Sequence, residues 1–115
     1  MNLAGVNLEG LNLSNLNLSG VDLEKANLRS ANLQYCSLVD TNLQHACLRD
    51  ANLQGANLER ANISNADLIN AYMVGANLRD ANLGGASINE ADLTGAKLSG
   101  ANLKNASLIN TKGVV

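Results

Sequence analysis

The chain lacks most of the residue types that build an ordinary globular core. Its 115 residues include no Phe, no Trp and no Pro, and the only aromatic residues are Tyr35 and Tyr72. Large aromatics normally supply much of a core's buried area, so any core here must consist of Leu and Ala. The formal net charge is only −2, which excludes a basic surface for nucleic acid and a polybasic membrane anchor.

Long hydrophobic runs are missing as well. No apolar stretch approaches the roughly 20 residues of a membrane span, and the first residues do not form a signal peptide. Two cysteines are too few for a disulfide framework, which favours a reducing compartment. We therefore expect a cytoplasmic protein with no membrane contact and no direct nucleic acid binding.

What the chain does contain is a five-residue repeat. Every fifth residue from Leu3 to Leu108 is apolar, and 19 of these 22 centre positions are Leu. Two residues before the centre is the small position, which is Ala in 15 units, and between them is the asparagine position, which is Asn in 13 units. Two corner positions follow the centre, and the second is most often Gly, Asn or Asp. The repeat leaves no room for a linker, so we predict one domain over residues 1–115.

A period of five indicates β structure. Ala and Leu stand two residues apart with Asn between them, which is the in–out–in alternation of a strand. Gly and Asn at the second corner tolerate the positive φ of a tight turn. A helix is excluded because a period of five drifts around its axis and leaves no fixed apolar face. We predict an all-β coil that turns every five residues and pairs with the coils above and below.

The charges indicate the number of units in one coil, because opposite charges one coil apart should meet. A separation of four units gives five opposite pairs and one like pair, whereas separations of three and five units give no such excess. The opposite pairs at a separation of four units are Glu9/Arg29, Asp40/Arg60, Arg60/Asp80, Glu59/Arg79 and Asp92/Lys112.

Larger residues at the position that is usually Ala also agree with four units per coil. They occupy four consecutive units, at Val6, Leu11, Leu16 and Val21, before Ala takes over. One full coil of four sides would give this pattern. We predict that this broader first layer closes the N-terminal end.

The repeat resembles that of the pentapeptide repeat family. Good matches are Ala51–Gly55 (ANLQG), Ala91–Gly95 (ADLTG) and Ala96–Gly100 (AKLSG), and similar units cover nearly the whole chain. The resemblance implies a right-handed, four-sided parallel β-helix, a pentapeptide repeat solenoid of about 5.5 coils of about 20 residues each. Such coils stack at about 4.8 Å spacing, which gives a rod roughly 26 Å long.

Known members of the family include bacterial proteins that shield DNA gyrase by imitating duplex DNA. The resemblance therefore implies a DNA-mimicking gyrase or topoisomerase binder as an alternative function. This chain departs from that kind, because it has no Phe at any centre and no loop insertion. Duplex DNA carries about one negative charge per 1.7 Å, so close mimicry over this length needs about fifteen net negative charges.

Catalysis has little support in the sequence. His45 is the only histidine, so neither a His pair for a metal nor a Ser–His–Asp set is expected. His45 and Cys47 lie two residues apart near Asp50, but a Cys–His nucleophile needs an enclosed pocket and an orienting partner. We predict that the protein is not an enzyme and has no catalytic, metal or cofactor site. Cys36 takes an inward small position, where a buried small hydrophobe is expected.

The asparagine positions have two interpretations. Stacked Asn side chains can form hydrogen-bonded ladders along the coils, as in cross-β stacks. Alternatively, a regular array could bind a repetitive ligand such as ice or a polysaccharide, although Thr-rich faces would favour ice and Thr is scarce here. We expect the structural ladder.

One side is unusually poor in charge. The side with centres Leu13 to Leu93 carries a single charged residue, Asp92, and displays both tyrosines. Apolar residues at outward positions are rare elsewhere, and tyrosine is favoured at interfaces. We predict a protein-interaction patch formed by Tyr35, Tyr72 and Val74 of this side, together with Val39 and Ile69, which lie outward on the flanking sides.

The C-terminal end is a second candidate surface. An uncovered coil exposes backbone groups and Leu, which favours association with another chain. We predict a homodimer through the terminal coil, at the C-terminal end because the bulky first coil closes the other. Alternatively, Val114 and Val115 fold over the opening, or the chain belongs to a longer protein. The residues predicted to associate are Leu103, Leu108, Ile109, Val114 and Val115.

These observations favour a non-enzymatic structural or protein-interaction scaffold. Its rigid rod would present a preorganised surface to a protein partner, because a stacked backbone loses little further entropy on binding. No loop insertion is available to form a catalytic cleft.

Overall fold

The computed structural model describes residues 1–114. These residues contain no helix, and their β structure consists of single-residue parallel bridges, one in each five-residue unit. Every bridge joins residues that are four units apart, beginning with Asn2↔Asp22 and ending with Asp92↔Lys112. A coil of four such units, each ending in a turn, has four sides, as the charge pattern predicts. The rod measures 34 × 21 × 19 Å.

The four sides are numbered in chain order by their centres. The first side runs through Leu3, Leu23, Leu43, Ile63, Leu83 and Leu103, and the second through Leu8, Leu28, Leu48, Leu68, Ile88 and Leu108. The third side runs through Leu13, Leu33, Leu53, Met73 and Leu93, and the fourth through Leu18, Leu38, Leu58, Leu78 and Leu98.

The coils are joined by backbone hydrogen bonds in both directions. The centre N–H of Leu53 donates to the Tyr72 carbonyl at 2.7 Å in the following coil, and the Tyr72 N–H donates to the Ala51 carbonyl at 2.9 Å. Within each turn, the N–H of the next small position closes onto the centre carbonyl, as from Ala56 to Leu53 at 3.0 Å. Inward backbone is thereby paired along the rod, which a buried chain requires.

The side chain at the asparagine position accepts a hydrogen bond from the N–H of the first corner residue, which has no backbone partner. In most units its Oδ1 accepts the N–H of the first corner residue, as Asn52 does from Gln54 at 3.1 Å. Such side-chain caps mimic a backbone turn. The predicted ladders also form at some positions, since the Asn77 Nδ2 donates to the Asn57 Oδ1 at 3.2 Å. The local cap is therefore the more general role of these residues, and the ladder accompanies it.

In every unit from Gly5 to Asn110, the residue at the second corner position has left-handed backbone, with φ between 56° and 76°. This confirms the predicted turn. Several of these positions carry residues that rarely adopt positive φ, such as Lys25, Tyr35 and Arg60. The stacked coils therefore hold the turn even where the residue type does not favour it.

Leu and Ala fill the interior as predicted. The centres from Leu23 to Leu93 are at most 1% exposed. Thr41 is the one buried polar residue of the described core, and its Oγ1 donates to the Leu18 carbonyl at 2.8 Å.

The first coil does not close its end, contrary to the prediction from its bulky small positions. Leu11 and Leu16 are 47% and 46% exposed, and Val6 is only partly buried. A longer aliphatic side chain widens the layer but cannot cover its outer face, because no coil lies above it. The first described coil therefore leaves part of its apolar side chains exposed.

Candidate interaction surface on the third side

Four of the five predicted patch residues lie on or beside the third side. Tyr35 and Tyr72 are 56% and 41% exposed, whereas Ile69 and Val74 are partly buried. Ile69 lies at the end of the second side, next to the corner that leads into the third. We call Tyr35, Ile69, Tyr72 and Val74 the third-side surface.

The Tyr35 side of this surface packs against the neighbouring coil. The Tyr35 ring lies across the bare corner of Gly55, so close that a Cβ there would stand 2.5 Å from the Tyr35 Cε1. The Gly55 N–H donates to the Val74 carbonyl at 3.0 Å, and Val74 follows Tyr72 by two residues. Gly55 is not among the residues predicted from the sequence, although its position four units after Tyr35 marks it as the residue below the ring.

Val39 is separated from the other patch residues. It follows the centre Leu38 on the fourth side and immediately precedes the far corner at Asp40. A flat partner seated on the third side would not reach around the fourth side to Val39. This is the flanking side on which the sequence places Val39, which was grouped with the patch because it is outward and apolar.

On the second and fourth sides, which flank the third side, charged residues form ion pairs with each other. On the fourth side, Arg60 contacts Asp40 at 2.9 Å and Glu59 at 3.2 Å. The hydrogen bond to Asp40 raises the pKa of Arg60. Within residues 1–114, Asp40/Arg60 is the only one of the five predicted pairs that forms an ion pair. Arg29, which was predicted to pair with Glu9, instead lies 3.9 Å from Asp50, and Arg49 contacts Asp67 at 2.8 Å.

The central part of the third side is neutral and rich in amides. Asn12, Asn32 and Asn52 use their Oδ1 atoms for local turns, and their Nδ2 groups have no acceptor among residues 1–114. The Gln34 Nε2 donates to the Gln54 Oε1 at 2.8 Å in the next coil. Asp92 lies further along, where the Thr94 hydroxyl donates to it and lowers its pKa. The surface therefore offers aromatic rings and amide donors without net charge.

The cysteines and the histidine do not form a reactive group. Cys36 is buried, its Sγ donates to the Leu13 carbonyl at 2.8 Å, and burial raises its pKa. Cys47 is partly buried and His45 is exposed, and both cysteines are free. Over residues 1–114 the structure shows no pocket and no cluster of three metal-ligating side chains. The same residues include no helix that is long and apolar enough to cross a membrane.

The predicted association residues at the C-terminal end differ in exposure. Leu103 and Leu108 are partly buried, and Ile109 is 63% exposed on the outer surface. Val114 packs against the core, as the alternative of a folded-over terminus predicts. Val115 lies outside the described residues.

Two glycines on the third side test the packing of the Tyr35 ring. We expect Gly55→Ala to destabilise the protein more than Gly75→Ala, because both have positive φ but only Gly55 lies under a side chain. The strain of Ala in left-handed backbone is common to both and amounts to about 1–2 kcal/mol. Urea denaturation of the two variants measures the difference. An equal loss of stability would mean that the ring moves away at no cost.

Comparison with known proteins identifies the fold. A family model described as pentapeptide repeats matches residues 2–34, 36–75 and 76–112. A pentapeptide repeat protein from the thylakoid lumen of Arabidopsis thaliana is 32% identical, with a TM-score of 0.79 over 81% of this chain. This chain spans 65% of the length of that protein. The comparison with curated proteins gave no match.

Two further solved structures show the same architecture. The pentapeptide repeat protein Rfr23 from the cyanobacterium Cyanothece 51142 is 30% identical, with a TM-score of 0.58 over 98% of this chain and 91% of its own. A trypsin-treated form of QnrB1, a plasmid-mediated fluoroquinolone resistance protein, is 18% identical, with a TM-score of 0.68 over 96% of this chain and 59% of its own. At that identity the likeness concerns the fold alone. The chain therefore belongs to the pentapeptide repeat family, whose architecture is a right-handed quadrilateral β-helix.

Proposed function

We propose that this protein is a non-enzymatic scaffold, a rod of about five and a half coils that presents the third-side surface to a protein partner. The observation that carries the proposal is the exposure of both tyrosines, Tyr35 and Tyr72, on a side whose middle coils carry no charged residue. Tyrosine supplies large contact area and a hydroxyl, and it is enriched where binding energy concentrates. We further propose a cytoplasmic location, with no cofactor, membrane contact or direct nucleic acid binding.

A partner must recognise side chains on this surface, because the backbone groups are already hydrogen-bonded between coils. On the third side, the N–H groups of Leu53 and Tyr72 are already used between coils, so a partner cannot add a strand to this face. The hydrogen bonds between coils also fix the backbone from which the outward side chains project. Little conformational entropy then remains to be lost when the partner docks.

A capture experiment with matched variants tests the proposal. The triple substitution Tyr35→Ser, Tyr72→Ser and Val74→Ser is expected to weaken capture of a partner from native lysate by at least about tenfold, because it removes the aromatic contact area. The control Val39→Ser removes an outward apolar residue from another face and should retain capture. Unchanged capture by the triple variant, or an equal loss in the control, would contradict the proposal. Circular dichroism shows whether each variant keeps its fold.

The alternative is a DNA-mimicking protein that binds gyrase or another topoisomerase. QnrB1 shares the fold, but the net charge of −2 is far from the dense negative charge of a duplex. A gyrase supercoiling assay separates the two functions. The scaffold proposal predicts no change in supercoiling when the protein is added.

A further inference from the structure

Hydrogen-bond donors and carboxylates alternate along the edge where the second side meets the third. In four successive coils this corner is occupied by Ser30, Asp50, Asn70 and Glu90, all of them exposed. The Ser30 hydroxyl and the Asn70 Nδ2 have no acceptor within residues 1–114. The Asp50 Oδ1 and the Glu90 Oε2 likewise have no partner there, because the contacts to Arg29 and Asn110 use the other carboxylate oxygens.

The asparagine positions of the third side show the same combination. Asp92 accepts both hydrogen bonds from Thr94 with its Oδ1, so its Oδ2 remains for another donor. In earlier coils, the Nδ2 groups of Asn32 and Asn52 are donors without an acceptor. Each column of this face therefore contains both unpaired acceptors and unpaired donors.

The opposite edge, where the third side meets the fourth, varies in height along the rod. The Tyr35 ring covers the corner at Gly55, whereas nothing lies within 4 Å of the place where a Cβ of Gly75 would stand. A projecting ring is therefore followed, one coil later, by a bare corner. The ring is 56% exposed, which leaves most of its outer face for contact with another molecule.

A second copy of the chain can be placed on the third side by a two-fold axis that lies in the contact plane, perpendicular to the rod. Such an axis reverses the order of the coils and keeps each column opposite its own copy. The second to fifth coils comprise residues 21–40, 41–60, 61–80 and 81–100. When the axis passes between the third and fourth coils, Asp50 faces Asn70, Glu90 faces Ser30, and Asp92 faces Asn32.

The tyrosines also find counterparts in this register. The Tyr35 ring, which lies at the level of Gly55, faces the bare corner of Gly75 in the second copy. Tyr72 faces Asn52, whose Nδ2 can donate to the tyrosine hydroxyl. Projecting side chains thus meet bare or amide-bearing positions, and each carboxylate meets a donor.

Other two-fold arrangements place like charges together, which disfavours association. An axis through the third coil sets Asp50 against itself, and an axis through the fourth sets Asp50 against Glu90. An axis along the rod keeps every residue at the level of its own copy, including the two Asp92 side chains. The axis between the third and fourth coils is therefore the favoured one.

We propose that the partner of the third-side surface is a second copy of this chain, packed face to face with its coils in the opposite order. The proposal rests on the proposed function, because it names the occupant of the same surface. Two sheet faces that pack in this way lie about 10 Å apart. The contact is self-complementary, so it closes as a dimer. The matched positions lie in interior coils, and neither end of the rod is needed.

The size of the side indicates the expected affinity. The side measures at most about 34 × 19 Å, so each copy contributes up to roughly 650 Å² and the pair up to roughly 1,300 Å². This area reaches the range of specific interfaces, near its lower limit. We therefore expect a dimer that dissociates in the micromolar range.

Sedimentation equilibrium of the whole chain, from about 1 to about 500 μM, tests the proposal. The mass is expected to rise from one chain to two and to stop there. Asn70→Asp should weaken the dimer at least about tenfold, because it sets a carboxylate against Asp50 at two symmetric positions. Asn65→Asp makes the same change at a left-handed corner between the first and second sides, and it should leave the dimer unchanged.

An exchange of two facing residues tests the register. Asp50→Asn combined with Asn70→Asp restores a donor opposite each carboxylate, so the dimer should recover to within about threefold of the wild-type affinity. Both positions have left-handed backbone, which Asn and Asp tolerate better than most residues. The single and double variants are therefore expected to fold, and circular dichroism checks this.

Nuclear magnetic resonance of the wild-type chain provides a measurement that does not depend on any variant. The side-chain amide signals of Asn32, Asn52 and Asn70 should shift as the concentration rises, whereas that of Asn62 on the first side should not. Four results would overturn the proposal. They are a single-chain mass throughout, growth beyond two chains, equal weakening by Asn65→Asp, and no recovery in the double variant.

Failure of this proposal is distinguishable from failure of the proposed function. If the second copy is the partner, the protein captured from native lysate is the native form of this chain. A single-chain mass, combined with loss of capture in the triple variant of Tyr35, Tyr72 and Val74, would overturn self-association and leave the scaffold proposal intact. Unchanged capture by the triple variant would contradict the scaffold proposal itself.

Discussion

Leu53→Ala is expected to lower the free energy of unfolding by about 3 kcal/mol. Leu53 is a central interior residue of the third side and is fully buried. Removal of its side chain leaves a cavity that the coils before and after it cannot fill. Backbone hydrogen bonds on all four sides hold these two coils in place. The lost transfer energy and the cavity therefore add.

Leu11→Ala is the matched control. The same side-chain atoms are removed, but Leu11 is 47% exposed at the open end of the rod. We expect a loss of no more than about 1 kcal/mol, because little of the removed side-chain area is buried. Urea denaturation of both variants provides the comparison. Equal losses would show that Leu53 is not in a closed interior.

The periodic features of the fold could be predicted from the sequence. Inward Leu and Ala, positive φ at the second corner and pairing across four units each recur along the chain. A single exceptional residue, such as Tyr35 or Arg60 at a second corner, does not disturb the pattern because the neighbouring coils impose the turn. Repetition thus compensates for weak local preferences.

The pairing of individual charges could not be predicted in the same way. The register of four units is correct, yet Arg49 contacts Asp67, which falls two positions short of that register. Similarly, Arg29 lies 3.9 Å from Asp50, which falls one position beyond it. A long arginine side chain reaches across the face to a neighbouring column. Residue spacing fixes where its Cα lies but not which carboxylate its guanidinium contacts.

The surfaces required the structure for a different reason. The outward position and the side of each residue are periodic and predictable, as for Val39 on a flanking side, but the packing of the Tyr35 ring over Gly55 is not. At the ends the repeat has no neighbouring coil to complete the pattern, so the prediction that Leu11 and Leu16 close the N-terminus was wrong. Interior rules do not extend to a layer with one open face.

The most direct measurement of the four-sided coil uses the native Cys47. Asn27 and Cys47 form a parallel bridge, and neighbouring strands about 4.8 Å apart are within the reach of a disulfide. Asn27→Cys is therefore expected to form an intramolecular disulfide with Cys47 on oxidation. Peptide mapping under non-reducing conditions detects it.

Asn32→Cys is the control, because it removes an equivalent turn-capping Asn but lies on the third side, whereas Cys47 lies on the second. A coil of three units would instead place residue 32 beside Cys47. The assignment of residues to sides, and with it the third-side surface, depends on this register. A disulfide to Cys47 in Asn27→Cys and none in Asn32→Cys is the predicted result. A disulfide to Cys47 in Asn32→Cys, or none in Asn27→Cys, would contradict the four-sided coil.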